Sequence, residues 1–215
     1  MVHRPRRQGS STDPASADMG SVRIVGGTFR GRRLEYSGDL RTRPMKDRVR
    51  ESLFNLLPDD LGGLAAFDLF AGTGVLALEA ISRGAEQAIC IEQHMPTAEL
   101  IRRNARLLEI EDRVLVAPAN TFLWIRRLAE GRLAAAELAP LKGPWLVFCS
   151  PPYAFYVERA DEMQRMLARL VEAAPSGSRF VLEADDPAHI IASPLLEPWD
   201  IRTYPPAVLA FSKKP

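Results

Sequence analysis

Five short apolar runs recur along the chain, at Ala65–Phe70, Ala88–Glu92, Val114–Ala117, Trp145–Cys149 and Phe180–Glu183. Between them lie amphipathic stretches at about Val75–Arg83, Thr97–Leu108, Thr121–Ala129 and Arg159–Ala173. Short continuous apolar runs read as strands buried on both faces, and the stretches with a 3.6-residue period read as helices. Repeated β-α units predict an α/β fold with a doubly wound, mainly parallel sheet whose ligands bind at the carboxyl ends of its strands. Pro96 suits the first turn of the second helix and Gly84 the end of the first. Two further strands, near Ile201–Tyr204 and Val208–Ser212, close the chain. The Ala-rich piece Gly131–Lys142 reads as either an extra helix or a loop.

The segment before this pattern is different. Residues 1–21 are polar, Ser-rich and aperiodic, which predicts a disordered tail. From Val22 to Tyr36, short extended runs broken by Gly26-Gly27 and Gly31 predict a small β-hairpin. Thr42-Arg43-Pro44 stops it. Asp47 then reads as the N-cap of a helix to about Leu57, with Val49, Leu53 and Leu56 on one face and Pro58 as its stop. The expected division is therefore a tail over 1–21, a basic hairpin and first helix over 22–60, and a catalytic domain over 61–215.

Charge separates the same segments. Val22 to Arg50 holds nine basic and three acidic residues, a net +6. Residues 51–215 carry −6 within an overall +1. A basic front on an acidic body suits a polyanion-binding appendage on a catalytic domain, the alternative being a solvated charged face. No apolar run approaches the roughly 20 residues of a membrane span, and Arg4, Arg6 and Arg7 precede no signal-like apolar region. Cys90 and Cys149 sit inside strand-like runs, as reduced core thiols of a cytoplasmic protein do. His3, His94 and His189 lack ligand spacing, so no metal is expected. Trp124, Trp145 and Trp199 read as core or rim packing.

Two loops carry the chemistry. Asp68-Leu69-Phe70-Ala71-Gly72-Thr73-Gly74 lies where the first strand turns into the first helix, and its glycines let the backbone pass close to a ligand. Gly72-Thr73-Gly74-Val75-Leu76-Ala77 satisfies the dinucleotide fingerprint as well as the methyltransferase pattern. Glu92, ending the second strand, suits a ribose in either case. Asp68 separates them, because a carboxylate there favours a ligand with an ammonium and a sulfonium and repels a pyrophosphate. The second loop, Ser150-Pro151-Pro152-Tyr153, follows the strand Leu146–Cys149. Its prolines fix the backbone, withdraw two N–H donors and leave carbonyls for an exocyclic amine, while Tyr153 offers a face for a base taken out of its stack.

These segments resemble the RsmD-type methyltransferases from about Val22 to the end of the chain. Arg23-Ile24-Val25-Gly26-Gly27, Arg30-Gly31-Arg32 and Leu34 are similar to that family's RNA-binding hairpin. Thr42-Arg43-Pro44 and Asp47-Arg48-Val49-Arg50-Glu51-Ser52-Leu53-Phe54-Asn55 resemble its linker and first helix. Asp68 to Gly74, with Glu79 behind them, resemble its cofactor loop. The resemblance implies a Rossmann-like class I methyltransferase with a seven-stranded sheet and a reversed last strand. It implies S-adenosyl-L-methionine as donor, no metal, and the N2 amine of a guanine in bacterial small-subunit (16S) ribosomal RNA as acceptor. The expected setting is an assembling 30S subunit in the cytoplasm, with a monomeric enzyme and no membrane.

Carried onto this sequence, Asp68, Phe70, Ala71, Gly72, Thr73, Gly74, Glu92 and Asn120 are expected to hold the donor. Ser150, Pro151, Pro152 and Tyr153 are expected to hold the base, and Arg23, Arg30, Arg32, Arg33, Arg43 and Arg48 the phosphates. Three positions depart from the family pattern. Ser150 stands where the acceptor motif usually begins with Asp, and a serine cannot hold negative charge against an amine becoming positive. Ala117-Pro118-Ala119-Asn120 stands where a carboxylate usually meets the adenine ring. Tyr204-Pro205-Pro206 stands where the family tends to carry a glycine. Competing expectations are an RNA-binding protein that has lost turnover, a methyltransferase of a different base amine, and a dehydrogenase using the same glycines.

Overall fold

A computed structural model describes residues 22–38, 44–190 and 198–215. The expected tail and Arg43 lie outside the described residues. Strands β1 (Val22–Arg23) and β2 (Arg33–Leu34) pair antiparallel as the expected hairpin. Seven further strands form one sheet: β3 (Ala65–Asp68), β4 (Gln87–Ile91), β5 (Val114–Ala117), β6 (Trp145–Cys149), β7 (Arg179–Ala184), β8 (Asp200–Tyr204) and β9 (Ala207–Lys213). Their order is β5-β4-β3-β6-β7-β9-β8. The first five run parallel, and β9 is inserted antiparallel between β7 and β8. This is the mainly parallel, seven-stranded sheet that the resemblance implied, with its reversed last strand.

The helices are α1 (Asp47–Asn55), α2 (Val75–Ser82), α3 (Met95–Leu107), α4 (Thr121–Ala129), α5 (Ala135–Leu138), α6 (Phe155–Glu158) and α7 (Ala160–Ala173). Successive strand residues face opposite sides of the sheet. Ala66, Cys90, Leu146 and Phe148 pack with α1, α2 and α3, whereas Phe67, Ile89, Val147 and Cys149 pack with α4 and α7. The two buried cysteines are free thiols on opposite faces, and burial pushes both thiols up from the ordinary range.

Several local expectations are corrected. Lys46, not Asp47, is the N-cap residue of α1, and no side chain caps that helix. The Asp47 carboxylate instead accepts from Arg23 at 2.8 Å and Arg50 at 3.0 Å. Leu56 is exposed, and α1 buries Arg50, Leu53 and Phe54. Helix α2 is buried all round rather than amphipathic, because the hairpin covers the side that would otherwise meet water. Gly131–Lys142 holds only the single turn α5.

The hairpin is locked to the sheet's helical layer. Val22, Ile24 and Leu34 are buried with α1 and α2, each contributing about 1.5–3 kcal/mol by leaving water. The Ser82 hydroxyl donates to the Gly26 carbonyl at 2.6 Å and accepts from the Phe29 amide at 2.9 Å. A Cβ on Gly27 would lie 1.9 Å from the Ser82 carbonyl oxygen, so only glycine permits this approach. Glu79, fully buried on α2, accepts from the Val25 amide at 2.8 Å and Arg83 at 3.0 Å. The buried Arg50 guanidinium faces the same carboxylate at 3.8 Å and donates to the carbonyls of Arg23 and Met45. Glu79→Ala would leave Arg50 buried with its inner carboxylate gone. Urea unfolding is expected to register a loss of about 3–5 kcal/mol, and a loss below roughly 1 kcal/mol would count against this network as the hairpin's anchor.

Candidate active site at the carboxyl edge of the sheet

The chain moves from β3 toward β4 and β5 on one side, and later returns to β6 and β7 on the other. A crevice opens at such a switch point, beyond the strands' carboxyl ends. Here it is a cavity of about 780 Å³. In the register of the sheet Asp68 lies opposite Cys90 on β4 and Phe148 on β6. The turns that follow β3 and β6 therefore emerge side by side, and Gly72 and Ser150 line the same cavity.

On the β3 side the chain turns tightly, with the Gly74 amide bonded to the Ala71 carbonyl at 2.7 Å. Gly74 has φ +73°, and a Cβ there would lie 2.8 Å from a methyl of Ile101. Both facts require glycine. Glu92 spans this turn: its carboxylate accepts from the Gly72 amide at 2.9 Å and the His94 amide at 2.7 Å. Two backbone donors fix the carboxylate and leave its remaining lone pairs for a diol such as a ribose. Phe70, Phe122 and Phe155 meet with ring centroids 5.9–6.2 Å apart and supply an apolar wall.

Asp68 is buried, and neither carboxylate oxygen has a hydrogen-bond partner among the described residues. Burial pushes its carboxyl up to about 7. The Ala77 amide pulls it back from outside hydrogen-bond geometry, and the Glu92 and Glu183 carboxylates add to the rise. An orphaned buried carboxylate facing a cavity fits a cationic ligand group, which would supply the missing donors and counter-charge. Asn120 also lines the cavity, but its side-chain oxygen accepts from the Leu123 amide at 3.2 Å as the cap of α4. Its amide nitrogen is the group left for a ligand.

On the β6 side Ser150, Pro151, Pro152 and Tyr153 all line the cavity. The expectation that both proline carbonyls are free needs correction. Pro152 accepts from the Phe155 amide at 2.9 Å, which starts α6, so Pro151 supplies the carbonyl available to a ligand. Glu183, near the end of β7, is a site residue that sequence reasoning missed. It lines the same cavity and accepts from the Tyr153 hydroxyl at 3.0 Å. Burial raises its pKa, and the hydroxyls of Ser150 and Tyr153 pull it back. A carboxylate thus stands beside Ser150, where that loop itself carries none. Tyr204 and Pro206 of the β8–β9 turn form part of the rim.

The expected phosphate-binding arginines separate into two groups. Arg23 is paired with Asp47, and Arg32 donates to the Leu107 carbonyl at 2.7 Å, so both help dock the hairpin. Arg30, Arg33 and Arg48 are exposed. Of the histidines, His94 bonds Thr97 at 2.8 Å and His189 stacks on Tyr156.

The family model described as conserved hypothetical protein 95 matches residues 22–194. YlbH of Bacillus subtilis (strain 168) is 33% identical over 134 residues, 61% of this chain and 67% of that protein. Ribosomal RNA small subunit methyltransferase D of Escherichia coli (strain K12) is 39% identical over 111 residues, 51% of this chain and 56% of that protein. The chain thus spans little more than half to two thirds of these relatives' length. Among solved structures, yhhF of Escherichia coli superimposes with a TM-score of 0.70 at 24% identity, over 91% of this chain and 98% of that one.

The state of Asp68 yields a pH test. Its folded pKa of about 7 lies above the ordinary 3.8, so the folded form holds a proton that the unfolded chain has released. Stability is then full below about pH 4 and declines as pH rises to about 7. Asp68→Asn removes that dependence. The ligand-free variant is expected to match wild type at about pH 4 and to exceed it at pH 8 by a few kcal/mol, with thermal unfolding as the measure. Equal stability at both pH values would mean that the carboxylate is solvated.

Proposed function

The chain belongs to the RsmD-type methyltransferase family, and on that premise we propose that it methylates the exocyclic N2 amine of a guanine in small-subunit (16S) ribosomal RNA. The methyl donor is S-adenosyl-L-methionine. The observation that carries this reading is the opening of the glycine turn and the Ser150-Pro151-Pro152-Tyr153 turn into one cavity. Carboxylates occupy the positions that a donor with an ammonium and a ribose would need, at Asp68 and Glu92.

S-adenosyl-L-methionine supplies a methyl group already activated by its sulfonium, so the chain's task is alignment. Asp68 would take the ammonium, Glu92 the ribose hydroxyls, and Asn120 with the Phe122 ring the adenine side. The acceptor side must hold a guanine edge, which donates from N1–H and the N2 amine. The Pro151 carbonyl and the Glu183 carboxylate are the matching acceptors, and Tyr153 provides the stacking face. The amine becomes positive as it is alkylated and then sheds a proton, and the charge of Glu183 favours both changes. This reading answers the departure at Ser150: the charge is borne by the neighbouring strand, with the serine hydroxyl directed to it.

A dehydrogenase reading is disfavoured by Asp68, whose buried carboxylate would face a dinucleotide pyrophosphate. Exposed Arg30, Arg33 and Arg48 serve as phosphate contacts. The proposed setting is an assembling 30S subunit in the cytoplasm, with the chain acting as a monomer.

Tritium transfer from labelled S-adenosyl-L-methionine to 30S particles from cells lacking this chain, followed by nucleoside mapping, tests the proposal directly. N2-methylguanosine is expected. Label in another base amine would replace the acceptor, and donor binding with no transfer to any ribosomal RNA would make the chain a binding protein. Tyr153→Ala should cost about 5- to 150-fold in activity, the equivalent of about 1–3 kcal/mol of stacking. Glu183 is active when ionised and its pKa is raised, so kcat at saturating donor should climb with pH above the usual carboxylate range. Glu183→Gln should lower kcat and flatten that limb without changing donor affinity; an unaltered pH profile would remove Glu183 from the reaction.

A further inference from the structure

We propose that the groove between α4 and α7 is a second anion-binding site, which holds backbone phosphates of the RNA on the side of the cavity away from the hairpin. The inference rests on the RNA-substrate reading above and adds a contact surface to it. The groove is a concavity of about 360 Å³ in which Arg126 from α4 meets Arg159, Arg165 and Arg169, with Glu162 the acidic member of its lining. Arg159 is paired with Glu162, and its guanidinium lies over the rings of Phe122 at 4.0 Å and Phe155 at 4.9 Å. Those rings line the catalytic cavity, and Asn120 and Phe122 line both spaces. The groove therefore adjoins the cavity across this aromatic wall.

The other three guanidinium groups have no partner among the described residues. The side chains of Arg126, Arg165 and Arg169 form no ion pair or hydrogen bond with the described residues, although residues 51–215 carry a net charge of −6. Several other arginines of this acidic body are paired, as Arg102 and Arg106 are with Glu99 and Arg127 is with Glu137. Arg165 and Arg169 stand one helical turn apart on α7, where like charges destabilise a helix by a few tenths of a kcal/mol. Arg126 adds a third positive charge from the facing helix. A solvated helix face would scatter such charges; here they converge on a concavity, and an anion would relieve their repulsion.

The position suits a strand whose base is withdrawn into the cavity. A nucleotide taken out of its stack has phosphates on both sides. The cavity is bordered by Lys46 and Val49 of the α1 region on one sheet face, and by the α4–α7 layer on the other. The backbone would run across the carboxyl edge from the hairpin and α1 to this groove. Arginine suits the role, since its planar fork binds phosphate oxygens in pairs.

The test compares wild type, the double variant Arg165→Gln/Arg169→Gln and the hairpin variant Arg30→Gln/Arg33→Gln. Binding to protein-free small-subunit ribosomal RNA, and to 30S particles from cells lacking this chain, is measured across salt concentrations. The groove variant is expected to bind RNA roughly tenfold more weakly at about 0.1 M salt, with a log K against log salt slope shallower by about 0.7–0.9 per arginine removed. Its donor affinity should match wild type, which also shows that it folds. Unchanged affinity and slope in the groove variant, with weakened binding in the hairpin variant, would overturn the groove and leave the RNA reading standing. Loss confined to assembled particles would overturn it in favour of an acidic protein partner. Wild type that binds neither RNA nor particles would overturn the substrate reading, and the groove with it.

Discussion

Strand β3 exchanges hydrogen bonds with β4 on one side and β6 on the other, parallel in both cases, and the site depends on that register. Asp68 can sit beside the acceptor loop only because it pairs opposite Phe148, two residues before Ser150. A slip of one residue would turn Phe67 and Asp68 to the wrong faces and carry Ala66 and Leu146 out of their packing. The burial of β3 and β6 prevents the slip: both are covered on each face, and every one of their residues is buried. Core packing thus sets the distance between the two loops. The Leu69 amide bonded to the Phe148 carbonyl at 3.0 Å extends the ladder one step beyond β3.

The same edge collects acids in an apolar setting. Asp68, Glu92 and Glu183 all line the cavity, and the first is buried with no hydrogen-bond partner among the described residues. Glu92 differs from its neighbours because two backbone amides hold its carboxylate. Asp68 and Glu183 are each pushed upward by burial. A ligand-free fold carries this as a cost in stability, which a cationic ligand group facing Asp68 would convert into affinity. Glu183 is positioned differently, with hydroxyls rather than amides around it, so its charge is only partly satisfied before a substrate arrives. The two carboxylates lie on opposite sides of the acceptor loop's strand, since β6 separates β3 from β7.

Much of this could be read from the chain alone, because the signals were local. Continuous apolar runs gave the buried strands, and the glycines at 72 and 74 and the prolines at 151 and 152 marked turns whose chemistry depends on backbone shape. What stayed hidden was set by neighbours distant in sequence. Glu183 ends an ordinary apolar run, and nothing near it announces a carboxylate aimed at Tyr153. Helix α2 reads as amphipathic because its polar residues, Glu79 and Ser82, are buried by a hairpin more than fifty residues earlier. Asp47 has the residue type of a cap, but Arg23 and Arg50 compete for its carboxylate and win. The groove arginines were masked by composition, since the acidic total of residues 51–215 averages over a local positive cluster.

That averaging changes how the basic front should be understood. Nine basic residues between Val22 and Arg50 suggest one RNA-binding appendage, yet Arg50 is buried against Glu79, and Arg23 and Arg32 are spent on docking. The hairpin's net charge therefore overstates what it can offer to phosphates. Among the described residues, a grip made from this front by Arg30, Arg33, Lys46 and Arg48 would hold the strand on one side of the cavity and leave the withdrawn base free to pivot about that contact. In-line attack tolerates little such freedom, because its geometry must be met within fractions of an ångström. A second contact on the α4–α7 side removes the pivot, and Arg159, stacked on the cavity's own aromatic wall, would couple that contact to the position of the base.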